Sequence, residues 1–180
     1  MATVDGSIFE GLFLRVLKPQ GAFKSHLKAA GFDADRPEPR YPEEVWGRAL
    51  EVTTAHAFGH EDTTAAHRHI GHAMIEGYFN TILGRVTGGL MPVLGVGGTL
   101  KRLAKLWKVP QPGMEISAEP EGRGQWRVSF HDKVMTADLV AGILEAALRR
   151  ADDTVKVEVV ERVFGAGVVR VMTETTLSAG

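Results

Sequence analysis

Apolar positions recur at helical spacing through the first part of the chain and, from Met114 onward, at every second residue. The stretch DGSIFEGLFLRVLK predicts a short helix, and QGAFKSHLKAAGF predicts a second, with Phe23, Leu27 and Ala30 on one face and Gly31 as its C-terminal stop. Prolines 37, 39 and 42 fall within six residues and make DADRPEPRYP a loop. Pro42 suits a first helical position. Glu43 and Glu44 follow near the positive end of the dipole, and Trp46, Ala49, Leu50, Thr53 and Ala57 form a buried stripe that ends at Gly59.

The next helix is expected to start at Asp62 or Thr63 and to run to about Arg85. It is apolar over a wide arc: Ile70, Met74, Tyr78 and Thr81 on one side, Ile75, Phe79, Ile82 and Val86 on another. A helix apolar over so wide an arc lies inside a fold. Gly71, Gly77 and Gly84 each cost about 1 kcal/mol of helix propensity relative to alanine. Close approach of a neighbouring backbone is the simplest compensation. GGTLKRLAKLWK predicts an amphipathic helix capped by Thr99, with Leu100, Leu103, Ala104 and Trp107 inward and Lys101, Arg102, Lys105 and Lys108 outward.

After the change of period, MEISAEP and QWRVSFH alternate as strands around the turn EGRG. ADLVAGILEAALRR is a strongly apolar helix, and TVKVEVVERV and GVVRVMTET alternate again around Phe164-Gly165-Ala166-Gly167. The expected class is α+β: one domain over 1–180, with a helical part (1–110) packed on a four-stranded antiparallel sheet with a crossing helix (111–180).

Composition narrows the chemistry. Hydrophobic residues make up 44% and charged residues 24% of 180, the balance of a globular protein. The net charge of −1 provides no basic field for nucleic acid or an anionic membrane. The absence of cysteine removes disulfides, thiolate zinc sites and cysteine nucleophiles. No apolar run reaches the roughly 20 residues of a membrane-spanning helix, and MATVDGSIFEG lacks the basic-then-apolar plan of a signal peptide, so the cytoplasm is the expected location. There is no G-x-S-x-G elbow. GVGGT (95–99) lacks both the preceding strand and the spacing of a nucleotide loop, and reads as a sharp turn between helices.

Five of the seven histidines lie in HAFGHEDTTAAHRHIGHAM, residues 56–74. At about 100° per residue, His69, His72, Glu76 and Asn80 share a polar arc, whereas His67 falls between Met74 and Tyr78 on an apolar face. The spacings His56/His60 and His69/His72/Glu76 admit a metal reading with zinc, nickel or iron. Against it, Gly59 breaks the first pair, the second group sits on the wet face, and Ala57 replaces the glutamate of a catalytic zinc helix. Solvated histidines plus one partnered core histidine is the plainer reading.

VDGSIFEGLFLRVLKPQGAFKSHLKAAGFD resembles the opening of haem–nitric-oxide-binding domains, and WRVSFHDKVMTADLVAGILEAAL with two following strands resembles that fold's C-terminal sheet and helix. IGHAMIEGYFNTILGR (70–85) and LKRLAKLWK are similar to a myxobacterial paralogous family of uncharacterised proteins of about this length, which implies no activity. Related architecture occurs in 4-vinyl-reductase-type ligand-binding domains and in Bet3-type trafficking subunits. The haem-binding resemblance implies an iron-ligating histidine on the helix TLKRLAKLWK, near Thr99, and a Y-x-S-x-R clamp at the places of Phe130, Asp132 and Val134. Both are replaced, which implies no haem cofactor held in that manner, though His67 or His131 offers another ligation. The expected function is a non-catalytic sensor with an apolar pocket for a small ligand between helices and sheet, lined by His67, Met74, Tyr78 and Trp107. The alternatives are a homodimeric interaction protein with a filled core and a histidine-bound metal protein.

Overall fold

The computed structural model describes residues 3–107 and 113–173, without the side chains at 82, 83 and 106. The expected strand end at Glu174-Thr175, the boundary at 110/111, Lys108 and the side chain of Ile82 lie outside the described residues. The chain runs β1 (Thr3–Asp5), α1 (Gly6–Phe9) continuing into a π-helical segment (Glu10–Leu17), α2 (Gly21–Ala30), β2 (Arg40–Pro42), α3 (Glu43–Ala57), α4 (Thr63–Phe79), α5 (Ile82–Leu106), β3 (Glu115–Gly122), β4 (Gln125–His131), α6 (Ala137–Leu148), β5 (Lys156–Val163) and β6 (Ala166–Met172). The four C-terminal strands form one antiparallel sheet in the order β3-β4-β6-β5, with α6 across one face. The alternation expected from Met114 onward is met: Val128, Phe130, Val157, Val169 and Val171 are buried beneath α6.

Three sequence expectations are corrected. The proline-rich loop contributes a strand, because Arg40–Pro42 pairs antiparallel with Thr3–Asp5. Pro42 therefore stands at the N-cap, one position before the helix it was expected to begin. The helix expected from 62 to 85 is two helices. Asp62 caps α4 as anticipated, accepting from Thr64 N and Ala65 N, but the helix stops at Phe79 and Thr81 caps α5, its Oγ1 accepting from Gly84 N at 3.0 Å. Val86, expected on a buried arc, is consequently 60% exposed.

Glycines let the layers approach. A Cβ on Gly71 would lie 2.4 Å from Leu139 O, one on Gly142 2.1 Å from Arg68 O, and one on Gly77 2.3 Å from Gly11 O. The cost in helix propensity is thus matched by backbone-to-backbone packing of α4 on α6 and on the π-helical segment. Gly84 is pinned against Tyr78 O in the tight reversal between α4 and α5. At the N-terminal end Phe9, Phe13, Phe32, Tyr41 and Trp46 form a buried aromatic cluster, and the apolar core continues from it to the sheet without interruption.

Candidate functional site

The structure bends α5 into an elbow. Gly95 has φ 63° and ψ −179°, a region essentially reserved for glycine, and it separates an arm over 82–94 from an arm over 96–106. Pro92 weakens the first arm just before the bend, since it has no N–H to donate. GVGGT is therefore a sharp turn, as read from the sequence. Thr99, expected to cap the second arm, lies inside it instead, because the helix is entered at Thr81 and merely interrupted at Gly95.

The inner side of the elbow is lined by Thr87, Met91 and Leu94 from one arm and Thr99, Arg102 and Leu103 from the other. The gap is too narrow to admit a water molecule. Ligand pockets commonly enclose roughly 300–1,000 Å³, so a ligand enters this gap only if the two arms of α5 part. Arg102 is exposed at the rim of the gap and Tyr78 is half-buried beside it, whereas its two threonines are buried. Thr87 is 4% exposed and its Oγ1 accepts from the Tyr78 hydroxyl at 3.2 Å. Thr99 is 1% exposed and its Oγ1 has no hydrogen-bond partner among the described residues. An unsatisfied buried hydroxyl costs about 1–3 kcal/mol. At the end of the second arm Trp107 is half-buried, and its Nε1 is likewise buried without a partner.

The four lining residues expected from the sequence do not meet at one place. Tyr78 reaches the elbow through Thr87, and Met74 is half-buried against the core. His67 stands 11 residues before Tyr78, about 16 Å along α4, and faces the start of α6. Its Nδ1 lies 2.8 Å from Thr136 Oγ1. That hydroxyl accepts from Leu139 N as the N-cap of α6, so its proton is free to point at a neutral imidazole protonated on Nε2. Burial pushes His67 below the ordinary histidine value of 6.5, with Asp138 pulling the other way. A base with a depressed folded pKa contributes stability that is complete above 6.5 and is lost as pH falls through the folded value. The stability advantage of the wild type over His67→Gln should therefore shrink between about pH 7.5 and about pH 5. Urea melts at both values check it, and a pH-independent difference would remove the idea.

The remaining histidines divide differently from their sequence spacing. His72, placed on the wet arc, is half-buried and lies 3.1 Å from Glu145 Oε2 on α6. His69 and His60 both turn to Glu61, at 2.7 and 3.6 Å. His56 meets His26 of α2, a contact that local spacing cannot signal. No group of three or more histidine, aspartate or glutamate side chains among the described residues is arranged to hold a metal ion.

A second concavity, about 540 Å³, is an open groove outside the layers, between the start of α4, the start of α6 and edge strand β5. There Arg162 pairs with Asp138 through two bonds of 2.9 Å, and the Arg68 guanidinium donates to Val157 O at 2.8 Å. No helix among the described residues is long and apolar enough to cross a membrane.

The residues do not fit a haem held through a helix histidine and a propionate clamp. Thr99 offers a hydroxyl where an imidazole is needed. Phe130 is buried, with its ring against Gly167. Asp132 Oδ1 accepts from Val134 N and Met135 N at 2.8 and 2.7 Å, and Val134 packs toward Gly47. None of the three can pair with a propionate in the way a tyrosine, serine and arginine set does. Of the other two candidate ligands, His67 is engaged with Thr136 and His131 is exposed at the end of β4.

Solved structures share this architecture. An H-NOX family protein whose heme distortion was probed superposes with a TM-score of 0.72 at 16% identity, over 94% of this chain and 95% of that one. An oxygen-binding H-NOX domain related to soluble guanylate cyclases gives 0.64 at 17% identity, over 94% and 92%. A variant H-NOX of T. tengcongensis gives 0.58 at 18% identity, over 93% of each chain. At these identities the likeness shows the fold, which is H-NOX-like. A comparison with curated proteins finds no match. The sequence model of DUF2378, described as a protein of unknown function, matches residues 2–170, and the chain belongs to that family.

Proposed function

We propose that the chain is a non-catalytic, cytoplasmic sensor or ligand-binding domain whose responsive element is the elbow of α5. The ligand is a small molecule, mostly apolar, with one hydrogen-bonding group. It enters between the arms, which part at Gly95, and its polar atom meets Thr99 Oγ1. Tyr78 and Thr87 form the polar edge of the site and Met91, Leu94 and Leu103 its apolar walls. The observation that carries this reading is the Thr99 hydroxyl, 1% exposed, beside an apolar gap and without a partner. A filled core would gain from valine at that position, since the two side chains have nearly the same shape and the penalty of an unmade hydrogen bond would vanish. Gly95 supplies the hinge, with no neighbouring atom within 4 Å of where its Cβ would stand. The H-NOX-like fold adds support by analogy, because one of its solved members binds oxygen.

A second reading, a homodimeric interaction protein, is favoured by a different observation. Val86, Leu90, Val93 and Leu94 are 60, 41, 84 and 39% exposed, and their spacing of four, seven and eight residues puts them on one face of the first arm. A second copy offers the same row in return.

Native mass spectrometry of the full chain from its own host, with and without Thr99→Val, separates the two. The ligand reading expects a small added mass on the wild type that is absent from the variant. With ligand removed, the variant should melt higher, by about 1 kcal/mol of added stability. The bare chain mass, or a ligand mass that Thr99→Val retains, would overturn it. Twice the chain mass with no ligand supports the dimer.

A further inference from the structure

We propose that His26 and His56 form a two-imidazole site for a divalent transition-metal ion of the zinc, nickel or copper class, bridging α2 and α3. His26 Nδ1 and His56 Nε2 lie 2.6 Å apart, although the two residues are 30 positions apart in the chain. The ring centroids are 4.8 Å apart, and the His56 ring is held by stacking on Phe23 at 5.5 Å with an interplanar angle of 10°. Both histidines are exposed, so an aqueous ion reaches them without rearrangement of the core.

The geometry is near what chelation needs. Metal–imidazole bonds of about 2.0–2.1 Å place two adjacent donor nitrogens about 3–3.4 Å apart, so the rings need to part by less than about 1 Å. A side-chain rotation provides that. Without an ion, one of the facing nitrogens must carry a proton for the contact to hold, and a single hydrogen bond between exposed rings gains little over bonds to water. With an ion, that proton moves to the far nitrogen of the same ring and both facing lone pairs bind metal. At a pH above the imidazole range no net proton is released. Water completes the coordination sphere, because no third protein ligand converges among the described residues. Imidazole donors of this kind suit zinc, nickel and copper. The site is independent of the α5 elbow, and its failure would leave the ligand reading intact.

The test is calorimetric titration of the full chain with Zn²⁺ and with Ni²⁺ in chelator-free buffer, beside His26→Ala, His56→Ala and His69→Ala. Exposed positions keep these variants folded. The expected result is one ion bound per chain, with affinity lowered about a hundredfold by either His26→Ala or His56→Ala, as expected when one of two linked donors is removed. His69→Ala should leave it unchanged. Absence of binding to the wild type, unchanged affinity in His26→Ala, or loss in His69→Ala would each overturn the proposal.

Discussion

Gly142→Ala is expected to destabilise the fold by about 2–3 kcal/mol, although alanine is the better helix former by about 1 kcal/mol. The added methyl would stand 2.1 Å from Arg68 O and 2.9 Å from Arg68 C, which are backbone atoms of α4. A flexible side chain could swing aside at small cost, but a helix backbone moves only as a unit. Shifting α4 disturbs its second close approach, where Gly77 meets Gly11. Gly71→Ala tests the same crossing from the other side, with its methyl directed at Leu139 O and Ile143 N at 2.4 and 2.8 Å. Urea denaturation should show a lower midpoint with an unchanged slope for each variant. Stability equal to or above wild type would mean that the two helices do not cross this closely.

Phe9→Ala is expected to cost about 4 kcal/mol. Phe9 is wholly buried and touches the rings of Tyr41, Trp46, Phe32 and Phe13 at centroid distances of 4.3, 5.1, 5.2 and 6.1 Å. The four neighbours come from four different elements or loops, so the void cannot close by adjustment of one segment. Phe9→Leu keeps most of the volume and should cost about 1.5 kcal/mol. Thermal melts of both variants check the ordering. A loss below about 1 kcal/mol for alanine would show that the N-terminal segment can detach without consequence.

The sheet and its crossing helix were legible in the sequence because their periods differ sharply: alternation in the strands, and a broad apolar face on α6 that buries residues from Ala137 to Leu148. Caps that act within a few residues were legible as well. Asp62 opens α4, and Gly31 closes α2 at φ 108°. The break at Asn80-Thr81 was not. Apolar residues continue through it, and the decisive bond, from Gly84 N to Thr81 Oγ1, looks in sequence like an ordinary threonine within a helix. Three-residue strands such as β1 and β2 carry too little pattern to stand out from a proline loop.

At the candidate site the sequence revealed the kind of residue better than its surroundings. The half-burial of His67 followed from its place on an apolar face, while its bond to Thr136 required a helix 69 residues away. His72 looked solvated because Glu145 belongs to another element. The exposed arm of α5 was hidden for the same reason, since no local pattern tells a stripe that meets a core from one that meets water.

Leu94 belongs both to the inner wall of the elbow and to the apolar row outside it. One side chain therefore faces two environments at once. Whatever wedges the arms apart must also re-aim part of the outer row, so occupancy within and adhesiveness without cannot be set independently.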